Sequence, residues 1–365
     1  MPGIWSCQNG TYPGHPVYTL GETKVIGQWK VPAVKMPAFG GLYSFGVDQS
    51  DALTVVAVCF DEPTEKMHHY LLVLGDSVEI TRLTEDPIDA GAFFIDHGRY
   101  VRILNPGDKL VMVDSVLGRT DTVRLSGNRY FTRYTPPVVG SDSGFYLTGA
   151  DLSNDLKDPE QNHAFFSTSK PLISINNSPP AIDGFFGAYP PDYQEKRIYG
   201  YHLSPNTVAS GEFLFLSFPG SGFLGRVEPD LDTTTFYPMS SAYETEYRSM
   251  DTTDFMQISK AIQFQDTASR YTQVGYNELC KKVARLYQRH QPIVIGKNPF
   301  YGTVVVGHAE NGMVESEFIF GADRLSMHHS YLVNKGLLSV EYKTNPAGLE
   351  FFSFILHDIY ACSEP

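Results

Sequence analysis

Short runs of β-branched and aromatic residues, each ended within a few positions by turn residues, constrain this chain more than any single motif. "LTVVAVCF" (53–60), "HHYLLVL" (68–74), "KLVMVD" (109–114), "EFLFLSF" (212–218) and "GTVVVG" (302–307) are of this kind, and "NPGD", "SPN" and "FPGSG" interrupt them. Runs of that length at that spacing are strands of sandwiches or barrels. Several are apolar throughout instead of alternating, so both of their faces are expected to be covered. The interior has the material for this: 42% of residues are hydrophobic and 19% charged, with 24 Phe and 22 Tyr. At 365 residues the chain exceeds what one core usually serves and points to two or three packed units.

The order of the runs is not random. "MHHYLLVLGDSVEI" (67–80) returns as "MHHSYLVNKGLLSVEY" (327–342), sharing Met67, His68 and His69 with Met327, His328 and His329. A Phe stands seven residues before each Met, at Phe60 and Phe320. Between them "GLYSFGVDQSD" (41–51) returns as "GFYLTGADLSN" (144–154), aligning Gly41, Tyr43, Gly46 and Asp48 with Gly144, Tyr146, Gly149 and Asp151. Internal similarity of this sort marks stacked building blocks. The last copy stops near Phe354, and Val25-Ile26-Gly27-Gln28 resembles Val116-Leu117-Gly118-Arg119 of an earlier copy. The N-terminal strands are therefore expected to complete the last unit.

One region departs from the strand pattern. Phe255, Ile258 and Ile262 fall at helical spacing, and Leu279, Val283, Leu286 and Tyr287 form a second apolar stripe, with Lys281, Lys282, Arg285 and Arg289 largely off it. The expectation is thus a mainly β fold of three related sandwich- or barrel-like repeats with a two-helix insertion. The divisions are 1–34 for the closing strands, 35–134 and 135–250 for two repeats, 251–292 for the helices and 293–365 for the third repeat.

Motifs that resemble chemistry are incomplete. On a strand His68 and His69 point to opposite faces, so they cannot share one metal. "LVLGDS" resembles the first block of serine esterases that carry Gly-Asp-Ser, but the late Asp-x-x-His is replaced by "LHD", in reversed order. "GSGFLG" (220–225) is followed by Pro229 and β-branched residues, which makes it a glycine-rich hairpin and not a dinucleotide loop. Glu228-x-Asp230-x-Asp232 is read as a solvated loop. No catalytic, cofactor or metal set is assigned, and the reading leans away from an enzyme.

A net charge of −13 argues against nucleic acid as a partner. Four scattered cysteines favour free thiols in a reducing intracellular compartment, an organelle lumen or virion being compatible, and no run reaches membrane-spanning length. Three similar units around an axis would make a tile, so the expected function is a self-assembling shell, coat or matrix protein with itself as partner. The alternatives are a hydrolase with a site near the His-His pairs, or a ligand- or carbohydrate-binding repeat module.

Overall fold

The computed structural model describes residues 14–36, 39–45, 53–61, 66–87, 91–96, 99–104, 108–114, 119–125, 129–131, 138–141, 144–151, 159–177, 179–194, 204–210, 213–228, 232–245, 247, 250, 254, 257–324 and 329–362. Two strands open the chain, β1 (Val17–Thr19) and β2 (Lys24–Pro32). A first sheet follows as the meander β3 (Phe39–Phe45), β4 (Leu53–Asp61), β5 (Lys66–Leu74) and β6 (Val78–Pro87). The second is β7 (Gly91–Asp96), β8 (Arg99–Leu104), β9 (Lys109–Asp114) and β10 (Arg119–Arg124). In the third, β11 (Arg129–Phe131) and β12 (Val138–Ser141) share one edge of β13 (Gly144–Asp151). Helix α1 (Pro159–Thr168) leads from there to β14 (Leu172–Asn177) and β15 (Pro180–Phe186).

The fourth sheet is β16 (Asn206–Ala209), β17 (Leu214–Ser217), β18 (Phe223–Glu228) and β19 (Thr233–Pro238). Helix α2 (Ile258–Thr267) precedes the fifth, made of β20 (Arg270–Asn277), β21 (Lys282–Ile295), β22 (Asn298–His308) and β23 (Val314–Phe320). The sixth holds β24 (Ser330–Val333), β25 (Gly336–Thr344) and β26 (Glu350–Asp358). Its fourth strand is β2, antiparallel to β26 with Gln28 opposite Ile355, while β1 adds a parallel strand to β23.

Apolar faces join these sheets in sequence. Leu42, Val55 and Leu72 of the first meet Val340, Phe354 and Leu356 of the sixth. Leu110 and Val123 of the second meet Phe145 and Ile173 of the third, and Phe186 of the third packs with Leu214 and Leu216 of the fourth. Phe215 and Leu224 of the fourth meet Val274 and Val305 of the fifth, whose Leu286 and Val304 meet Leu332 and Leu337 of the sixth. Strands β3 and β7 touch between the first and second sheets, closing the circuit. Strands β12, β16, β20 and β24 also touch in succession, so they lie innermost. Coverage on both faces explains the unbroken apolar runs: Val55, Val56, Ala57 and Val58 are successive and all buried.

The termini staple the fifth and sixth sheets together. Beyond β26 the chain folds back onto the fifth sheet, where Lys282 Nζ donates to the Tyr360 carbonyl at 2.7 Å and a disulfide joins Cys280 to Cys362. Free thiols throughout are thus corrected; among the described cysteines Cys59 alone is free, and it is buried.

Among the described residues, six sheets stand where three repeats were expected, and of the two apolar stripes expected to be helical the second is not. Residues 282–290 lie in β21, not in a helix, and β21 runs across the 292/293 division. A stripe at helical spacing and a strand buried on both faces look alike over so short a run. Gly41 lies on β3, an end strand of its sheet, whereas Gly144 lies on β13, paired on both sides. The two glycine segments therefore occupy different places. The shell reading, which needed three equivalent units, loses its basis.

Candidate functional site

The residues singled out from sequence fall mostly in ladders. Gly41 and Tyr43 are in β3; Gly144, Tyr146, Gly149 and Asp151 are in β13; Gly46, Asp48, Met327 and His328 lie outside the described residues. The Tyr146 ring meets Phe186 edge-on at 5.0 Å, and Asp151 stands opposite Arg129. Met67, His68 and His69 are in β5, the third strand of its sheet, whereas His329 directly precedes β24, the first strand of another. What recurs in the two Met-His-His segments is a strand–turn–strand unit, β5–β6 in one case and β24–β25 in the other.

His68 stands opposite Cys59, which belongs to the seam between the first and sixth sheets, so His68 shares that face. Arg82 Nη2 donates to His68 Nδ1 at 2.7 Å. The His329 ring reaches the same seam, 6.0 Å from Phe39. His69 points the other way and is 3% exposed. Leu72 and Leu74, at the parity opposite to His69, fill the seam. Burial pushes the Cys59 thiol up to about 12, which keeps it protonated and unreactive. Among the described residues no group of three His, Cys, Asp or Glu could hold a metal ion. Glu228 pairs with Arg226 at 3.4 Å, and Asp232 pairs with Lys170 while accepting from Gly187 N at 3.0 Å.

A buried polar cluster lies between the fourth and fifth sheets, and it is structural. Arg285, fully buried on β21, donates Nε to Ser217 Oγ at 2.9 Å, Nη1 to the Met239 carbonyl at 2.8 Å and Nη2 to the Ser221 carbonyl at 2.7 Å. Tyr271 donates to Glu244 at 2.6 Å, and Ser221 Oγ donates to Asp192 at 2.8 Å. Burial lowers the Arg285 guanidinium, opposed by Tyr271, Glu244 and Asp192, and the same burial raises Asp192. Three bonds that bridge two sheets leave this arginine committed to the fold.

The arrangement suited to a ligand lies at the far end of β21. Strand β20 pairs with β21 only as far as Gln288, and residues 289–292 of β21 stand against Tyr301 alone on β22. Such a bulge bends a strand and turns its side chains out of the ladder. Here Arg289, His290 and Gln291 line a cleft of about 760 Å³, whose other walls include α2, Thr245, Tyr247 and Met250. Tyr247, Met250 and Phe264 supply apolar surface, the two rings meeting edge-on at 5.9 Å.

Cations predominate at its ionisable positions. Arg289 is anchored through Nε to the Gln291 carbonyl at 3.1 Å and through Nη1 to the Tyr243 carbonyl, with Nη2 left without a partner among the described residues. Burial lowers its guanidinium, offset by Tyr287. Arg324 Nη2 donates to His290 Nδ1 at 2.6 Å, which places the neutral imidazole proton on Nε2. Lys260 also lines the cleft and pairs with Asp254, its one acidic lining residue among those described. Sequence reasoning set Arg289 on a helix, off its apolar stripe, because the bulge that re-aims it has no signature beyond Pro292.

Six sheets of four or five strands, packed in a ring and closed by an N-terminal strand, define a β-propeller-like fold. No protein-family profile and no curated protein matches the sequence. Among solved structures, a member of the DUF4221 family from Bacteroides vulgatus aligns with a TM-score of 0.62 at 15% identity, over 92% of this chain and 97% of that one. Hsv2 of Kluyveromyces lactis gives 0.37 at 9% identity, covering 86% and 97%, and luciferin-regenerating enzyme gives 0.43 at 7% identity, covering 92% and 96%. The first likeness supports the fold and nothing finer.

Proposed function

We propose that this chain is a ligand-binding propeller that holds an anionic ligand in the cleft between α2 and β21. The observation that carries the reading is Arg289: a half-buried guanidinium, fixed by two backbone carbonyls, with one nitrogen facing no described partner. A guanidinium held in this way has already lost its rotamer freedom, so an incoming carboxylate or phosphate gains a charge-assisted bond at little entropic cost. Arg289 and Lys260 outnumber Asp254, the single carboxylate among the described lining residues, in a protein whose net charge is −13. Tyr247, Met250 and Phe264 suit a ligand with an apolar part beside its charge. The Cys280–Cys362 bond favours an oxidising compartment over the cytosol. Among the described residues no helix is long and apolar enough to cross a membrane.

Isothermal titration with glutarate, citrate and inorganic phosphate tests the reading. At least one of the three is expected to bind, and Arg289→Gln is expected to weaken it at least ten-fold without lowering the melting temperature appreciably. Equal affinity in the variant, or no binding of any of the three at millimolar concentration, overturns it.

A further inference from the structure

Beside the cleft, β21 and β22 continue past β20 as a two-stranded arm. Ile293 faces Phe300, Val294 faces Pro299 and Ile295 faces Asn298 across a two-residue turn at Gly296 and Lys297, where Gly296 has φ 63°. A two-residue loop makes its flanking pair, Ile295 and Asn298, the hydrogen-bonded kind. Val294 and Pro299 are then the non-bonded kind, a position that accepts a proline because no N–H is needed there. It follows that the Val294 N–H and C=O point away from β22, towards the side that β20 has vacated.

The near end of this stretch turns to the same side. His290, four residues earlier, sends its N–H to that side, where Ser269 Oγ accepts it at 3.1 Å. Pro292 and Val294 follow on this edge, and no strand pairs with them among the described residues. The arm thus presents both polar groups of Val294 as an open edge. Val294 is 65% exposed. Arg289, His290 and the cleft stand at one end of that edge, and Lys297 at the other.

We infer that the ligand is an extended acidic peptide, which adds a strand to the Pro292–Val294 edge and sets a carboxylate against Arg289. This rests on the cleft being an anion site, and it names the partner's class. Backbone pairing supplies register-fixing bonds that are indifferent to sequence, while the cationic cleft selects charge. A second copy of this chain is the other occupant such an edge could take. Edge-to-edge pairing of two arms would bring Arg289, Lys297 and Arg324 of each copy towards the same cations of the other, which disfavours it.

The test uses a fluorescein-labelled hexapeptide of alternating Val and Glu with a free C-terminal carboxylate, the same peptide N-methylated at alternate amides, and glutarate. Wild-type protein is expected to bind the plain peptide at least ten-fold tighter than the methylated one. Val294→Pro, which removes the edge donor without taking a bond from β22, is expected to weaken the peptide at least ten-fold and leave glutarate unchanged. Arg289→Gln is expected to weaken both ligands. Equal affinity for the two peptides, peptide binding unaffected by Val294→Pro, or a dimer in sedimentation that Val294→Pro dissolves would overturn the peptide inference while the anion site stands. No binding of glutarate, citrate or inorganic phosphate by the wild type would instead overturn the site itself.

Discussion

The Arg285 guanidinium carbon lies 3.5 Å from the centroid of the Tyr271 ring, inside the seam between the fourth and fifth sheets. Cation and ring come from adjacent strands, β21 and β20, and Tyr271 is pinned in turn by its bond to Glu244. The contact is fully desolvated, where a cation–π pair is worth most. Both groups also organise the chain that passes over them: Tyr271 Oη accepts from Ser241 N at 2.9 Å, and Arg285 holds the Met239 carbonyl.

Arg285→Ala is expected to cost about 3–5 kcal/mol, since it strands two carbonyls, a serine hydroxyl and nearby carboxylates in a dry seam. Arg285→Lys should recover only part of this, because one ammonium cannot span three acceptors set as a fork. Urea unfolding of the three proteins measures the difference. An Arg285→Ala variant as stable as wild type would show the seam to be wet.

Reduction should loosen the join between the fifth and sixth sheets. The Cys280–Cys362 bond spans 82 residues, and chain-entropy arguments give such a closure roughly 4 kcal/mol. Calorimetry with and without a phosphine reductant at neutral pH should show a lower melting temperature in the reduced protein, matched by the Cys280→Ser/Cys362→Ser double variant. Coincident transitions would show that the bond does not constrain the fold.

Acid should weaken the closure between β2 and β26. Thr23 Oγ1 donates to the Leu20 carbonyl at 2.6 Å, so it accepts from His357 Nδ1 at 3.1 Å, and burial lowers the His357 imidazole below its usual 6.5. A depressed folded value means that the unfolded chain takes the proton first. The stability is present above about pH 6.5 and is lost as the pH falls through the folded value. Melting temperatures between pH 7.5 and 5 should fall more steeply for wild type than for His357→Gln. Parallel curves would assign the acid sensitivity elsewhere.

Strand content was legible because each run carries its own turn. The number of sheets was not, since the repeated strings describe single hairpins and a hairpin can sit anywhere in a four-stranded sheet. "MHHYLLVLGDSVEI" builds the third and fourth strands of one sheet, while "SYLVNKGLLSVEY" builds the first and second of another. Gly336 shows how local the shared signal is: it has φ 155°, and a Cβ there would run into the His357 carbonyl, a demand that arises only from β26. The link between Cys280 and Cys362 was hidden because it depends on the tail crossing from the sixth sheet to the fifth. The cleft was hidden because its cations sit on a bulge, and binary pattern assigns a bulged strand no face.

Thr23 and His357 meet although 334 residues separate them, and the strands beside them close the ring. On a ribosome, β2 is made long before β26 and has to wait for it before it gains a partner. Until then the edge of the sixth sheet and the whole of β2 are unpaired and available to other chains. A message truncated before residue 350 would yield a product that never masks that edge, so synthesis as far as β26 is tested by the fold itself, and a holdase that covers β2 until then would act at the point of greatest risk.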